Sequence, residues 1–141
     1  MSNEYKDYTN DLRAVFDEKM EEVNDLYDGW KKAFVPQMMD AMFSVLGSYV
    51  EDFEVYQIKE KFGALTIYKG WKDREYTEEE FKDLEELTEE INNIISKYRK
   101  ISYHTCVKCG NKATFLCDYW VTPWCDNCRD RKLGVFGILE D

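Results

Sequence analysis

Two cysteine pairs, Cys106-x-x-Cys109 and Cys125-x-x-Cys128, stand 15 residues apart, the arrangement in which four thiolates close around a structural zinc ion. Each two-residue gap lets the backbone fold into a knuckle with both sulfurs facing one metal, and the segment between the pairs can form the hairpin that joins the knuckles. Gly110, directly after Cys109, suits a knuckle exit that needs positive φ. A four-thiolate shell leaves no open coordination position, so the expected Zn²⁺, one per chain, is structural and does no chemistry of its own. A redox role for either pair would call for a CxxC opening a helix after a strand, and two matched pairs are better explained by metal. Cys117, eight residues from both Cys109 and Cys125 in an apolar run, reads as a small hydrophobe in a ribbon strand. His104, the single histidine, is placed to hydrogen-bond a thiolate or to replace a cysteine, with four cysteines already filling the shell.

Charge is the second chemical signal. Residues 1–101 hold 24 acids and 14 Lys/Arg, whereas residues 102–141 hold five of each, so the whole net charge of −10 lies ahead of the cysteines. The expected ribbon therefore lacks the surplus positive charge of a typical nucleic-acid reader. Eight acids crowd residues 78–90 against Lys82 alone. They read as a solvated helix face or, more sharply, as a surface in which Glu85, Glu86, Glu89 and Glu90 mimic phosphates or dock on a basic partner protein. Residues 59–74 reverse the sign locally: Lys59, Lys61, Lys69, Lys72 and Arg74 stand against Glu60 and Asp73, interleaved with Phe62, Tyr68 and Trp71. Such a hairpin could hold phosphates and stack bases. The simpler reading puts the lysines on a solvated face and the aromatics on the opposite, buried one. One histidine supports no Ser/His/Asp or Cys/His set, and no pair of carboxylates stands out for acid–base work, so no enzymatic activity is expected.

The elements that must position these residues follow from periodicity. Leu12, Phe16, Met20, Val23 and Leu26 predict an amphipathic helix over 10–28, ended by Gly29. A second helix is predicted from Pro36, with Met38, Met39, Met42, Phe43, Leu46 and Tyr49 making an apolar face; the methionines fit ordinary core or an adaptable binding surface. Period-two alternation over 53–68 predicts a β-hairpin turning near Gly63-Ala64, with Tyr56, Ile58 and Phe62 on one face. Thr77 and Glu80 form a capping box, followed by an apolar stripe of Phe81, Leu84, Leu87, Ile91, Ile94, Tyr98 and Ile101 that leads without a linker into the cysteines.

The fold expected is α+β: helices packed on a small antiparallel hairpin or sheet over residues 1–101, then a C-terminal four-cysteine zinc ribbon over 102–141. With 44% hydrophobic and 16% aromatic residues, the chain should be globular. The polar, acidic N-terminus and the lack of a long apolar run predict a cytoplasmic protein without a membrane anchor, the host cytoplasm if phage-encoded.

The segment Gln57-Ile58-Lys59-Glu60-Lys61-Phe62-Gly63-x-Leu65-x-Ile67-Tyr68, the acidic helix, and then Thr105-Cys106-x-x-Cys109-Gly110 and Trp124-Cys125-x-x-Cys128 resemble a group of small zinc-ribbon proteins of bacteriophage and bacterial genomes to which no activity is attached. The resemblance covers roughly residues 53–128 and implies zinc, a cytosolic setting and a phage origin, but no substrate. Together with the charge, it makes the expected function that of a non-enzymatic interaction protein. Such a protein would bind and modulate, or inhibit, a host or phage protein such as a nucleic-acid enzyme. The alternative is an accessory protein that contacts nucleic acid through the 59–74 hairpin beside the ribbon.

Overall fold

The computed structural model describes residues 2–117, 121–132 and 134–139, with side chains from Asn10 onward. It is α+β, as expected. Helices α1 (Ser2–Lys19), α2 (Asp28–Ala33) and α3 (Val35–Leu46) precede a hairpin of β1 (Phe53–Lys61) and β2 (Ala64–Trp71); helix α4 (Glu78–Tyr103) leads to the short strands β3 (Phe115–Cys117), β4 (Thr122–Trp124) and β5 (Val135–Ile138). The second sheet has the antiparallel order β4-β3-β5; the cysteine hairpin expected from the sequence is β3–β4, and β5 adds an edge strand. Among the described residues no helix is long and apolar enough to cross a membrane.

Where one helix was expected over 10–28, the chain makes three pieces. Helix α1 stops at Lys19, a 3₁₀ turn spans Glu21–Asp25, and Gly29 sits inside α2 instead of ending a helix. The break has two causes. Met20, Val23 and Leu26 recur every three residues and all are buried, which suits the 3₁₀ repeat and not the α repeat. Lys19 then turns its ammonium onto the carbonyls of Val50 (2.8 Å), Glu51 (3.0 Å) and Phe53, capping the 3₁₀ turn Gly47–Glu51 that follows α3. Partial burial among these carbonyls lowers the Lys19 pKa, nearby Glu54 and Asp52 notwithstanding.

Helix α3 starts where Pro36 permits and delivers Met38 and Met42 into the core with no exposed surface, so these methionines are core and not a binding surface. They meet Phe16, Trp30, Leu46, Val50, Phe53, Leu65 and Ile91 in one continuous apolar cluster. Helix α4 lies against α3 and β2. Its capping box is formed as the sequence predicts: Glu80 N–H donates to Thr77 Oγ1 at 3.1 Å and Thr77 N–H to Glu80 Oε1 at 2.9 Å. Of the predicted stripe, Leu84, Ile91 and Tyr98 are buried and Leu87, Ile94 and Ile101 half-buried, but Phe81 is 55% exposed.

The hairpin corrects the expectation of a buried aromatic face at Phe62 and Tyr68, whereas Trp71 is half-buried and packs on the core against Phe53. A bulge between Val55 and Gln57 turns Tyr56 outward, and the turn Phe62-Gly63 takes positive φ at both residues (53° and 85°). Phe62 is therefore 72% exposed, Tyr68 is exposed, and the buried face is built by Phe53, Ile58 and Leu65. Gly63 fits its place because a side chain there would meet the carbonyl oxygen of Val121.

Candidate metal centre and charged surfaces

The C-terminal end of α4 sets the first cysteine pair. His104 N–H donates to Ile101 O, Thr105 N–H to Ser102 O, and Thr105 bridges Lys112, so the chain reverses sharply into the first knuckle. Within it, Cys106 N–H donates to Asn111 O (2.8 Å), Gly110 N–H to Cys106 O (3.1 Å) and Asn111 N–H to Cys109 Sγ (3.4 Å), while Gly110 takes φ 84°. Strand β4 delivers the second pair: Cys128 and Arg129 N–H both turn back to Cys125 O. Val107 N–H donates to Pro123 O at 3.0 Å and ties the two knuckles together.

The result is a convergence of four sulfurs, those of Cys106, Cys109, Cys125 and Cys128, all within 4.8 Å of one another. Cys109 and Cys125 Sγ are 3.7 Å apart. A tetrahedral ion with metal–sulfur bonds of about 2.3 Å requires sulfur–sulfur edges of about 3.8 Å, so the Cys109–Cys125 edge matches such an ion and the other sulfurs lie close enough to complete its shell. Burial opposes ionisation of Cys106, but the backbone N–H groups of Cys109, Cys125 and Lys108 outweigh it and bring the thiol down to about 7. Hydrogen bonds with the Cys125 and Cys109 sulfurs, with burial, push Cys128 up to about 12.

Cys117 is buried in β3 and is not among the four. His104 points its Nδ1 at Lys100 O (3.0 Å) at the end of α4, its ring packs edge-on against Tyr103, and it takes no part in the cluster. The site is also braced from residues far upstream. Gly29 N–H donates to Val107 O (2.8 Å) and Trp30 Nε1 to Thr105 O (3.1 Å), so α2 packs directly on the first knuckle. Nothing in the residue pattern before Gly29 announces this contact.

The charged candidates do not gather in one place. Glu85, Glu86, Glu89 and Glu90 are all exposed on the N-terminal half of α4 and have no ion-pair partner among the described residues. Asp83 and Glu80 of the same helix are engaged internally. Tyr49 O–H donates to Asp83 at 2.9 Å, which pushes Tyr49 up to about 12, and Arg74 clamps both Asp52 (2.7 Å) and Glu80 (2.9 Å), holding those two carboxyls below their usual range. Beside them lies an open groove of about 590 Å³ lined by the apolar faces of Trp71, Tyr76, Phe81 and Leu84 and by the charged Lys72, Asp73, Arg74 and Glu85.

The cations of 59–74 do not form one patch. Arg74 is held by its two carboxylates, Lys72 is exposed near it, Lys69 is half-buried with its pKa lowered by desolvation, and Lys59 lies over the Tyr68 ring at 5.6 Å. Lys61 alone sits at the hairpin tip, beside Arg99 and Lys100 of α4. Sequence reasoning misses that trio because the tip and the helix end are about 38 residues apart in the chain, and the end of α4 reads locally as apolar stripe alone.

Fold and site together define an α+β chain that carries a four-cysteine centre able to hold one metal ion. Comparison with protein-family models, curated proteins and solved structures finds no match for this chain.

Proposed function

We propose that the chain is a zinc-stabilised, acidic interaction protein of phage type that acts by binding, not by catalysis. Its target would be a basic host or phage protein, such as a nucleic-acid enzyme whose phosphate-binding cleft the acidic helix would occupy. One observation carries the reading: the carboxylates of Glu85, Glu86, Glu89 and Glu90, without an ion-pair partner among the described residues, are exposed along α4, and Glu85 lines the open groove in which Phe81 is exposed. An exposed apolar patch next to uncompensated charge of one sign is the combination that anchors and steers a partner of opposite charge. The occupant that fits is a segment with an apolar side chain for the groove, flanked by Lys or Arg for the carboxylates. Zinc is the ion we assign to the four sulfurs because structural zinc sites are commonly all-thiolate and tetrahedral, and such a site holds structure without an open position for chemistry.

The test is differential capture from host lysate. Immobilised wild type is run beside a variant carrying Glu85→Lys, Glu86→Lys, Glu89→Lys and Glu90→Lys, and beside Phe81→Ser, each first shown to retain the wild-type melting curve. A basic protein retained by the wild type, weakened by raised salt and lost from both variants supports the reading. Capture that all three share equally overturns it.

A further inference from the structure

The hairpin tip and the last turns of α4 form a second groove, of about 400 Å³. Lys61, Arg99 and Lys100 line it, together with the rings of Phe62, Tyr103 and His104; no carboxylate does so among the described residues. These three cations have no ion-pair partner among the described residues, in a chain with a net charge of −10. Arg99 keeps one hydrogen bond, from Nη1 to Thr66 Oγ1 at 3.2 Å, which fixes its guanidinium at the groove.

Positive charge at a helix C-terminus has an ordinary role in offsetting the helix dipole, and Lys100 serves it. That role explains neither Lys61, which belongs to the hairpin, nor Phe62. A bulky residue at positive φ is a genuine backbone outlier, since this first turn position is suited to Asn, Asp or Gly. Here the strained residue is a phenylalanine, φ 53°, and its ring is not sheltered by the core: it is 72% exposed beside the three cations. The chain thus holds a costly conformation that places an aromatic face in solvent next to positive charge. Local strain of this kind collects where a ligand is gripped.

We propose that this groove binds a nucleotide unit, with the base stacked on Phe62 or Tyr103 and the phosphate held by Lys61, Arg99 and Lys100. Aromatic faces and cations at one small site match the two halves of a nucleotide, and the volume lies within the range of small-molecule sites. The nucleotide could be free or part of a single strand. The groove lies at the opposite end of α4 from the acidic face, so this site stands or fails independently of the protein-partner reading.

The experiment is fluorescence anisotropy of the zinc-loaded full chain with a fluorescein-labelled oligo(dT), competed by unlabelled oligo(dT) and, separately, by AMP and ATP at constant ionic strength. Binding at 0.1 M salt with a dissociation constant below roughly 100 μM is expected, the weak end of non-specific nucleic-acid affinity. One neutralised phosphate gives log K a slope of about −0.7 against log salt for a single strand. Displacement by mononucleotides at similar concentration assigns a free nucleotide; displacement only by oligonucleotide assigns a strand.

Phe62→Asn is the discriminating variant. Asparagine suits the left-handed conformation, so the hairpin should become no less stable, while affinity should fall about tenfold through loss of the stacked ring. Lys100→Gln should weaken binding severalfold and flatten the salt slope. No binding of either probe, or binding that survives both substitutions unchanged, overturns the proposal.

Discussion

A methyl group at Gly29 has nowhere to go. Its Cβ would press on the carbonyl oxygen of Cys106 and lie 2.7 Å from Gly110 N and 2.8 Å from the carbonyl carbon of Val107, all of them backbone atoms of the metal knuckle that cannot swing aside as a side chain would. Gly29→Ala should therefore destabilise the fold by about 1–3 kcal/mol or more, read as a lower urea midpoint, although alanine is the better helix former and Gly29 lies within α2. An unchanged midpoint would mean that α2 and the knuckle do not touch as closely as described. From the sequence, Gly29 reads as a helix stop, because glycine after an amphipathic run ordinarily signals one. Its role as a close-approach residue depends on a chain segment some 77 positions away and leaves no local trace. The four cysteines are the opposite case, since their ligand geometry is written in the two-residue gaps themselves.

At the scale of elements, what is legible is what is local. The capping box, the start of α3 at Pro36, the hairpin and the long amphipathic helix all follow from neighbouring residues. The ends and edges do not. The stripe of α4 begins one turn before its packing does, so Phe81 continues the helical repeat yet faces a groove instead of the core. The break after Lys19 carries no Gly or Pro, and goes with the burial of Met20, Val23 and Leu26 at every third residue and with a tertiary contact, Lys19 onto the carbonyls after α3. The bulge at Val55/Gln57 shifts the alternation by one residue and so exposes Tyr56, which a strict period of two would bury beside Ile58. Stability should follow the observed packing and not the repeat. Ile91, 1% exposed between α3 and the hairpin's aromatic end, should cost about 2–5 kcal/mol as Ile91→Ala. Phe81→Ala should stay within about 0.5 kcal/mol in the same chemical denaturation. Equal losses at both positions would show that the groove beside Phe81 is closed in solution.

For the whole molecule, the question is whether the metal centre is an appendage or part of one cooperative body. The connections argue for the second. Helix α4 enters the first knuckle without a linker, Val107 belongs to the main apolar cluster, and Trp124 packs against it from β4. Trp30, fully buried in that cluster, spends its indole N–H on Thr105 O, one residue before Cys106. A structural zinc contributes apparent binding energy of roughly 10–16 kcal/mol in small zinc modules, as much as or more than the roughly 5–15 kcal/mol by which most domains are stable. Its removal should therefore be felt throughout. Protein purified without added metal should contain about one equivalent of zinc and melt in a single transition followed equally by far-UV circular dichroism and tryptophan fluorescence. Stripping with a chelator should lower that transition for both probes, with the buried Trp30 reporting the loss of packing. Cys106→Ser should reproduce the stripped protein, whereas Cys117→Ser should retain its zinc, since Cys117 lies outside the sulfur cluster. A stripped chain whose tryptophan transition stays at the holo temperature would instead divide the molecule at the end of α4, leaving residues 1–101 to fold alone and the cysteine segment as a separate metal-dependent unit.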